Sequence, residues 1–324
     1  MLIPLHDIEA AASRVRAHLA LTPLVRAEYF SRKLGANVFF KLETLQPTHS
    51  FKVRGAFNAL MQLTHEQRAK GAITASGGNH GLAVAYAARS LGIPATVYLP
   101  QSVTEAKLAA IRRLDPEIII HGAAWDEANA LAMQVALQTG RPYIHPFDDP
   151  AVMAGQATIM TEVLQQLPAP DLVVASIGGG GLIGGIICAA QHLAPMTRVV
   201  GVETVGADSM FQSWKAGRIV ELPAITSIAE TLGARKTQPT QFDLVSRHAS
   251  DLVTVTDDDA IAALLEILRH EKLLTEPATS CSVAALTAGR ITVNPGENVI
   301  VVLCGANIAL EKVCDWAARA SPGE

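Results

Sequence analysis

Residues 172–190 read LVVASIGGGGLIGGIICAA, nineteen positions without a charge. That length nominates a membrane span, and its glycines even fall at G-x-x-x-G spacing. Four consecutive glycines, Gly178 to Gly181, would however cost roughly 1 kcal/mol each inside a helix. A buried strand, a glycine loop and then a helix explain the same letters better, so the segment reads as one strand–loop–helix unit of a soluble α/β protein.

The rest of the chain repeats that unit. Short Val- and Ile-rich runs predict strands at 37–42, 72–75, 95–99, 117–120, 172–177, 198–203 and 298–303. Helix-period segments fall near 6–20, 54–63, 80–91, 104–113, 125–139, 151–166, 182–194, 257–270 and 307–318. The strands are continuous apolar runs, as expected when helices cover both faces of a parallel sheet. Right-handed crossovers and ligand sites at the carboxyl ends of the strands follow. The turns FDDP (147–150) and LPAP (167–170) are candidate domain crossings.

Bulk properties narrow the function. At 324 residues the chain suits about two domains, and 49% hydrophobic against 17% charged residues supports a large core. A net charge of −4 offers no surplus to neutralise phosphates, which argues against nucleic acid as a partner. The opening MLIPLHDIEAAASR lacks the basic and apolar regions of a signal peptide. Cys188, Cys281, Cys304 and Cys314 form no C-x-x-C pair, so a reduced, cytoplasmic protein is expected.

Three loops after strands carry the chemistry. SGGNHG (76–81) joins a strand to a helix whose unsatisfied amides could cradle a carboxylate, with Ser76, Gly77, Gly78, Asn79 and His80 as candidates. A plain turn with Asn79 as N-cap explains the same residues. GGGG (178–181) lets backbone amides approach a phosphate without obstruction, and no P-loop pattern is present. LCGAN (303–307) places Cys304 at the end of the last strand, where a small core filler is the bland alternative. A fourth element is THSFKVRG (48–55), where Lys52 alone among nine lysines sits in a glycine-punctuated turn.

One rival motif fits part of this. Gly179, Gly181 and Gly184 satisfy G-x-G-x-x-G, and Glu203 ends the next strand as a dinucleotide fingerprint requires. A nicotinamide-dependent oxidoreductase is the competing class, but it leaves Lys52 and SGGNH unexplained. Taken together, an amine, a phosphate cup, a polar group at Asn79 and a weak ring-nitrogen partner at Cys304 describe a pyridoxal phosphate site. Lys52 would form the Schiff base, with Phe51 beside it, and the ring would act as electron sink.

With these motifs in hand, the sequence resembles the fold-type II pyridoxal-phosphate enzymes, the tryptophan synthase β-like fold, within the serine/threonine dehydratase and serine racemase branch. The likeness runs through TPLVRAEYFS (22–31), FFKLETLQPTHSFKVRGAFNAL (39–60), SGGNHGLAVAYAARSLGIPATVYLP (76–100), HPFDDPAVMAGQATIMTEVL (145–164), GGGGLIGG (178–185), TEPATS (275–280) and LCGAN. It implies two doubly wound α/β domains with mostly parallel sheets, a small one at about 48–150 and a large one from 1–47 plus 151–324. It also implies phosphate held by Gly178–Gly181 and Leu182, a ring hydroxyl at Asn79, and the ring nitrogen at Cys304.

The resemblance further implies β-elimination and deamination of L-threonine, L-serine or a relative such as hydroxyaspartate or phenylserine, by a homodimer. Three departures stand out. Gly77 replaces the serine that racemases use as a second proton carrier. His49 replaces a glycine and could either be a solvated loop residue or lie near the substrate's side chain. A divalent-cation site of the family keeps Glu203 and the carbonyl position Ala207, but Ser209 stands where an aspartate belongs, so Mg²⁺ or Ca²⁺ binding is in doubt. The sequence ends soon after its last expected helix, so a C-terminal regulatory domain is not expected.

Overall fold

The computed structural model describes residues 2–320; Met1 and residues 321–324, the two ends of the expected large domain, lie outside the described residues. Nine strands form in chain order: β1 (Leu24–Arg26), β2 (Asn37–Leu42), β3 (Ala72–Ala75), β4 (Ala95–Leu99), β5 (Glu117–Ile120), β6 (Leu172–Ser176), β7 (Arg198–Thr204), β8 (Asp251–Val255) and β9 (Asn298–Leu303). They build two sheets, one of six strands in the order β1-β2-β9-β6-β7-β8 and one of three in the order β3-β4-β5. Every pairing is parallel except β1 with β2.

All seven expected strands are present. The central β6 and β9 are buried along nearly their whole length, which is why they read as unbroken apolar runs. The two strands not foreseen are both edges of the large sheet. β1 has only three residues, and β8 (DLVTV) carries Asp251 and Thr254 because part of it faces solvent. The segment 172–190 resolves into β6, a glycine loop and the helix Gly181–Leu193. Among the described residues no helix is long and apolar enough to cross a membrane.

Helices follow the expected segments, with five additions. Glu28–Leu34, His65–Lys70, Ser209–Ala216, Pro239–His248 and Pro277–Thr287 were not foreseen. The last is the most instructive. PATSCSVAAL is buried on every side, so small residues rather than an amphipathic pattern fill it. Its Pro at the first position was the readable start signal.

The loops leaving β6 and β9 lie side by side at the centre of the large sheet. From β6 the chain moves outward through β7 to β8, whereas β9 and β2 lie on the other flank. Such a switch in strand order opens a crevice at the carboxyl ends. The helix Lys52–Met61 is fixed over that crevice by its close crossing with Pro150–Gln166. There, a Cβ on Gly155 would stand 2.6 Å from Gly55 Cα. Two glycines therefore set how near the two helices approach.

Candidate active site

The turn before Lys52 is stitched to the end of β9. The Phe51 amide donates to the Cys304 carbonyl at 2.9 Å, Ser50 pairs with Gly305, and the Ala306 amide donates to the His49 carbonyl. The helix begins at Lys52 itself, two residues earlier than its periodicity predicts. This fixes the lysine opposite the loops after β6 and β9, on the wall of a cavity of about 990 Å³.

The Lys52 Nζ donates to the Pro146 carbonyl at 2.7 Å and lies 5.1 Å from the Phe51 ring centre. Burial is the main force on its charge and lowers its pKa from 10.5 to about 8. A thousandth of an ordinary lysine is neutral at pH 7.4, on the order of a tenfold multiple per pH unit, so this shift makes a free-amine population available.

A mount of buried charge lies behind it. Arg54 is fully buried and donates to Glu43 at 2.7 Å through Nε and to Glu162 at 2.7 Å through Nη1. Lys41 Nζ, equally buried, reaches Glu162 at 2.7 Å. The sequence displayed Arg54 within THSFKVRG, but its acids are 11 and 108 positions away and could not be paired from spacing.

Gly178, Gly179, Gly180, Gly181 and Leu182 line the cavity. Among the described residues, none of the four glycine amides donates to another backbone group. They stand at the start of the helix Gly181–Leu193, where an anion would meet free N–H groups and the positive end of the helix dipole. The missing side chains also serve the protein. A Cβ on Gly179 would collide with the Phe147 ring, and Gly180 has φ +98°, outside the range of ordinary residues. The loop is thus held against Phe147 on one side and left open on the other.

Ser76, Gly77, Gly78, Asn79 and His80 line the same cavity. The Gly78 amide donates to Ser76 Oγ at 3.3 Å, whereas those of Gly77, Asn79 and His80 find no backbone acceptor among the described residues. Asn79 is the first residue of its helix and makes no N-cap hydrogen bond; Gly78 holds the cap position. His80 is buried with Nε2 against the Ile144 carbonyl at 3.0 Å, and burial with nearby Lys52 lowers its pKa to about 3. His145, also lining the cavity, accepts the Phe147 and Asp148 amides at Nδ1 and is held to about 4, chiefly by burial. Both imidazoles are neutral at physiological pH.

Cys304 lines the cavity beneath these loops. Its Sγ lies 3.3 Å from Ser176 Oγ and 3.1 Å from Thr279 Oγ1, and burial raises its pKa to about 11. It is a neutral thiol. Sequence reasoning missed His145, Glu276 and Asn307. Glu276, within TEPATS, lines the cavity and accepts the Asn79 amide at 2.9 Å. The contact spans 197 positions, so nothing local signals it.

The remaining candidates, His49, Glu203 and Ala207, lie outside the cavity wall. His49 is not part of the cavity wall: it is exposed, at φ 54°, with its ring 3.4 Å from the Thr44 carbonyl. A left-handed turn suits glycine, and here histidine occupies it. Glu203 is engaged with the backbone instead. Both Glu203 oxygens accept amides, Met210 at 3.3 Å and Phe211 at 2.7 Å, capping the helix Ser209–Ala216, and burial raises this carboxyl's pKa. Ser209 donates to the Ala234 carbonyl. Among the described residues no group of three or more His, Cys, Asp or Glu side chains is arranged to hold a metal ion. The same burial of Glu203 removes the ribose partner that the dinucleotide motif needs.

Comparison with known proteins agrees with this geometry. A family model described as pyridoxal-phosphate dependent enzyme matches residues 15–305. The chain is 39% identical over 312 residues to an L-threonine ammonia-lyase of Geobacter sulfurreducens, covering 96% of this chain and 77% of that protein. It is 38% identical over 309 residues to a phenylserine dehydratase of Ralstonia pickettii, covering 94% of each. The solved threonine deaminase isoform 2 of Solanum lycopersicum superposes with a TM-score of 0.91 at 33% identity, over 98% of this chain and 88% of that one. An amine-bearing pocket, a glycine loop with free amides and a likeness spanning almost the whole chain converge: the chain belongs to the pyridoxal-phosphate dependent enzymes, in their fold-type II serine/threonine dehydratase branch.

Proposed function

We propose that this enzyme removes water and then ammonia from a β-hydroxy amino acid, L-threonine, L-serine or a close relative, to give a 2-oxo acid. The observation that carries this is Lys52, a half-buried amine on the cavity wall with pKa about 8, sharing that cavity with a glycine loop whose amides have no backbone acceptor among the described residues. Pyridoxal phosphate, when bound, supplies an aldehyde for Lys52 and a ring that accepts electrons.

The chain's own groups divide the remaining work. The amides of Gly178–Gly181 and Leu182 would hold the phosphate, and Asn79 the ring hydroxyl. Gly77, Asn79 and His80 amides would receive the substrate carboxylate, as free N–H groups at a helix start do. Lys52 Nζ would take the α-proton, because its lowered pKa keeps a neutral fraction near pH 7. A neutral thiol at Cys304 would leave the ring nitrogen without a full counter-charge, which would favour elimination over longer-lived carbanion chemistry. Gly77 has no side chain to return a proton from the opposite face, so racemisation is not expected.

The cavity mouth bears on the substrate. Lys107 pairs with Glu230 at 2.6 Å, Arg235 with Glu221 at 2.9 Å and Asp126 at 3.3 Å, and Lys236 with Glu221 at 3.2 Å. With these mouth cations already paired, and Trp125, Val103 and Leu232 on the wall, an uncharged side chain fits better than a second carboxylate. The three-stranded sheet lies wholly within 72–120, which supports 48–150 as a small domain, and the family likeness supports a homodimer.

The test adds L-threonine, L-serine, phenylserine and hydroxyaspartate to the purified holoenzyme and follows 2-oxo acid. Turnover of at least one β-hydroxy amino acid, lost in Lys52→Ala, is the expected result. Binding of a nicotinamide cofactor without any 2-oxo acid would overturn the reading.

A further inference from the structure

The Asn79 side chain is held from both ends. Asn307 Nδ2 donates to Asn79 Oδ1 at 2.7 Å and to the Thr48 carbonyl at 2.8 Å, while Asn79 Nδ2 donates to Glu276 Oε1 at 2.9 Å. This fixes which end of the amide is the donor and leaves one N–H of Nδ2 uncommitted. The same Glu276 oxygen accepts Thr231 Oγ1 at 3.0 Å. Among the described residues no donor meets the second oxygen, yet the residue is 4% exposed and lines the cavity.

The protein makes room for this carboxyl on purpose of packing alone. A Cβ at Gly305 would stand 2.6 Å from Glu276 Oε1 and 3.2 Å from Asn79 Nδ2, so only glycine admits the pair. Lys107 and Glu230 act on it in opposite senses, Cys304 is a thiol, and among the described residues no cation pairs with the carboxyl. Desolvation therefore prevails over two hydrogen bonds, and the pKa rises to about 7.

We propose that Glu276 is a positioning residue that acts through Asn79, setting the proton balance of the cofactor's ring hydroxyl by its own ionisation. The ionised carboxylate polarises the Asn79 amide and disfavours negative charge beside it. The protonated carboxyl relieves that repulsion and offers an O–H to the cavity. The inference rests on the reading that Asn79 meets the ring hydroxyl.

The test is a pH titration of the holoenzyme's visible absorption without substrate, alongside the affinity of the apoprotein for pyridoxal phosphate measured by fluorescence. The wild type is expected to show a spectral transition near pH 7 that Glu276→Gln abolishes or moves by about one unit or more while keeping its colour. Thr231→Val removes a donor to the ionised form and is expected to move the midpoint upward. A Glu276→Gln titration superimposable on the wild type, with Thr231→Val also unmoved, would overturn the proposal while leaving the cofactor reading intact. A wild type that binds no pyridoxal phosphate and shows no visible band would overturn both.

Discussion

The Phe51 amide donates to the Cys304 carbonyl at 2.9 Å, which ties the residue before the lysine to the residue after β9. Segments 253 positions apart in the chain thereby share one hydrogen bond, which sets the Lys52 turn against the end of β9. Each consequence below follows from a comparably specific contact.

Lys52 is lowered to about 8 by burial, so its neutral form should dominate above that pH instead of above 10.5. The rate at which apoprotein recombines with pyridoxal phosphate is predicted to rise about tenfold per pH unit below pH 8 and to level off above it. Stopped-flow absorbance checks this, and a rise continuing to pH 10 would contradict it.

The Arg54–Glu43–Glu162–Lys41 cluster is predicted to be intolerant of single breaks. Glu162→Gln leaves Lys41 and Arg54 short of one counter-charge in a fully buried setting. The expected loss is about 3–5 kcal/mol by denaturant unfolding, whereas breaking an exposed, solvent-screened pair such as Lys70–Glu66 is expected to have little effect.

His49 at φ 54° carries a conformational cost that glycine does not. His49→Gly is predicted to change stability by no more than about 1 kcal/mol, with relief of strain offset by the greater freedom of the unfolded chain. Because its ring lies outside the cavity, relative kcat/KM values across β-hydroxy amino acids are predicted to stay the same. A change in substrate preference would restore His49 to the site.

Glu276 also ties stability to pH. Its folded-state pKa, about 7, lies above the ordinary 4.5, so the folded protein holds this proton more tightly than the unfolded chain does. The stabilisation is fully present below pH 4.5 and is lost as pH rises through 7. Across that window wild-type apoprotein is predicted to lose about 3 kcal/mol relative to Glu276→Gln, read from paired denaturant midpoints.

Much of the site was legible because strand ends and glycine loops are local features. Lys52, Asn79, Gly178–Gly181 and Cys304 each sit at a recognisable break between an apolar run and a helix, and the structure brings all of them to one cavity. What stayed hidden was long-range. Glu276 and Asn307 gain meaning only from Asn79, and Arg54 only from Glu43 and Glu162. Edge strands β1 and β8 and the all-round buried helix Pro277–Thr287 escaped because their environments erase the usual periodicity. Glu203 was ambiguous for a different reason: a carboxylate at a strand end can be a ligand or a helix cap, and its contacts with the Met210 and Phe211 amides cannot be read from spacing.

The central claim is that Lys52 is the residue to which pyridoxal phosphate attaches. Reducing the holoenzyme with borohydride, digesting it and mapping the peptides by mass spectrometry tests that claim most directly. The account predicts a phosphopyridoxyl group on the peptide bearing Lys52 and its absence from Lys52→Ala. Labelling of any other lysine, or of none in a protein that still forms 2-oxo acid, would contradict it.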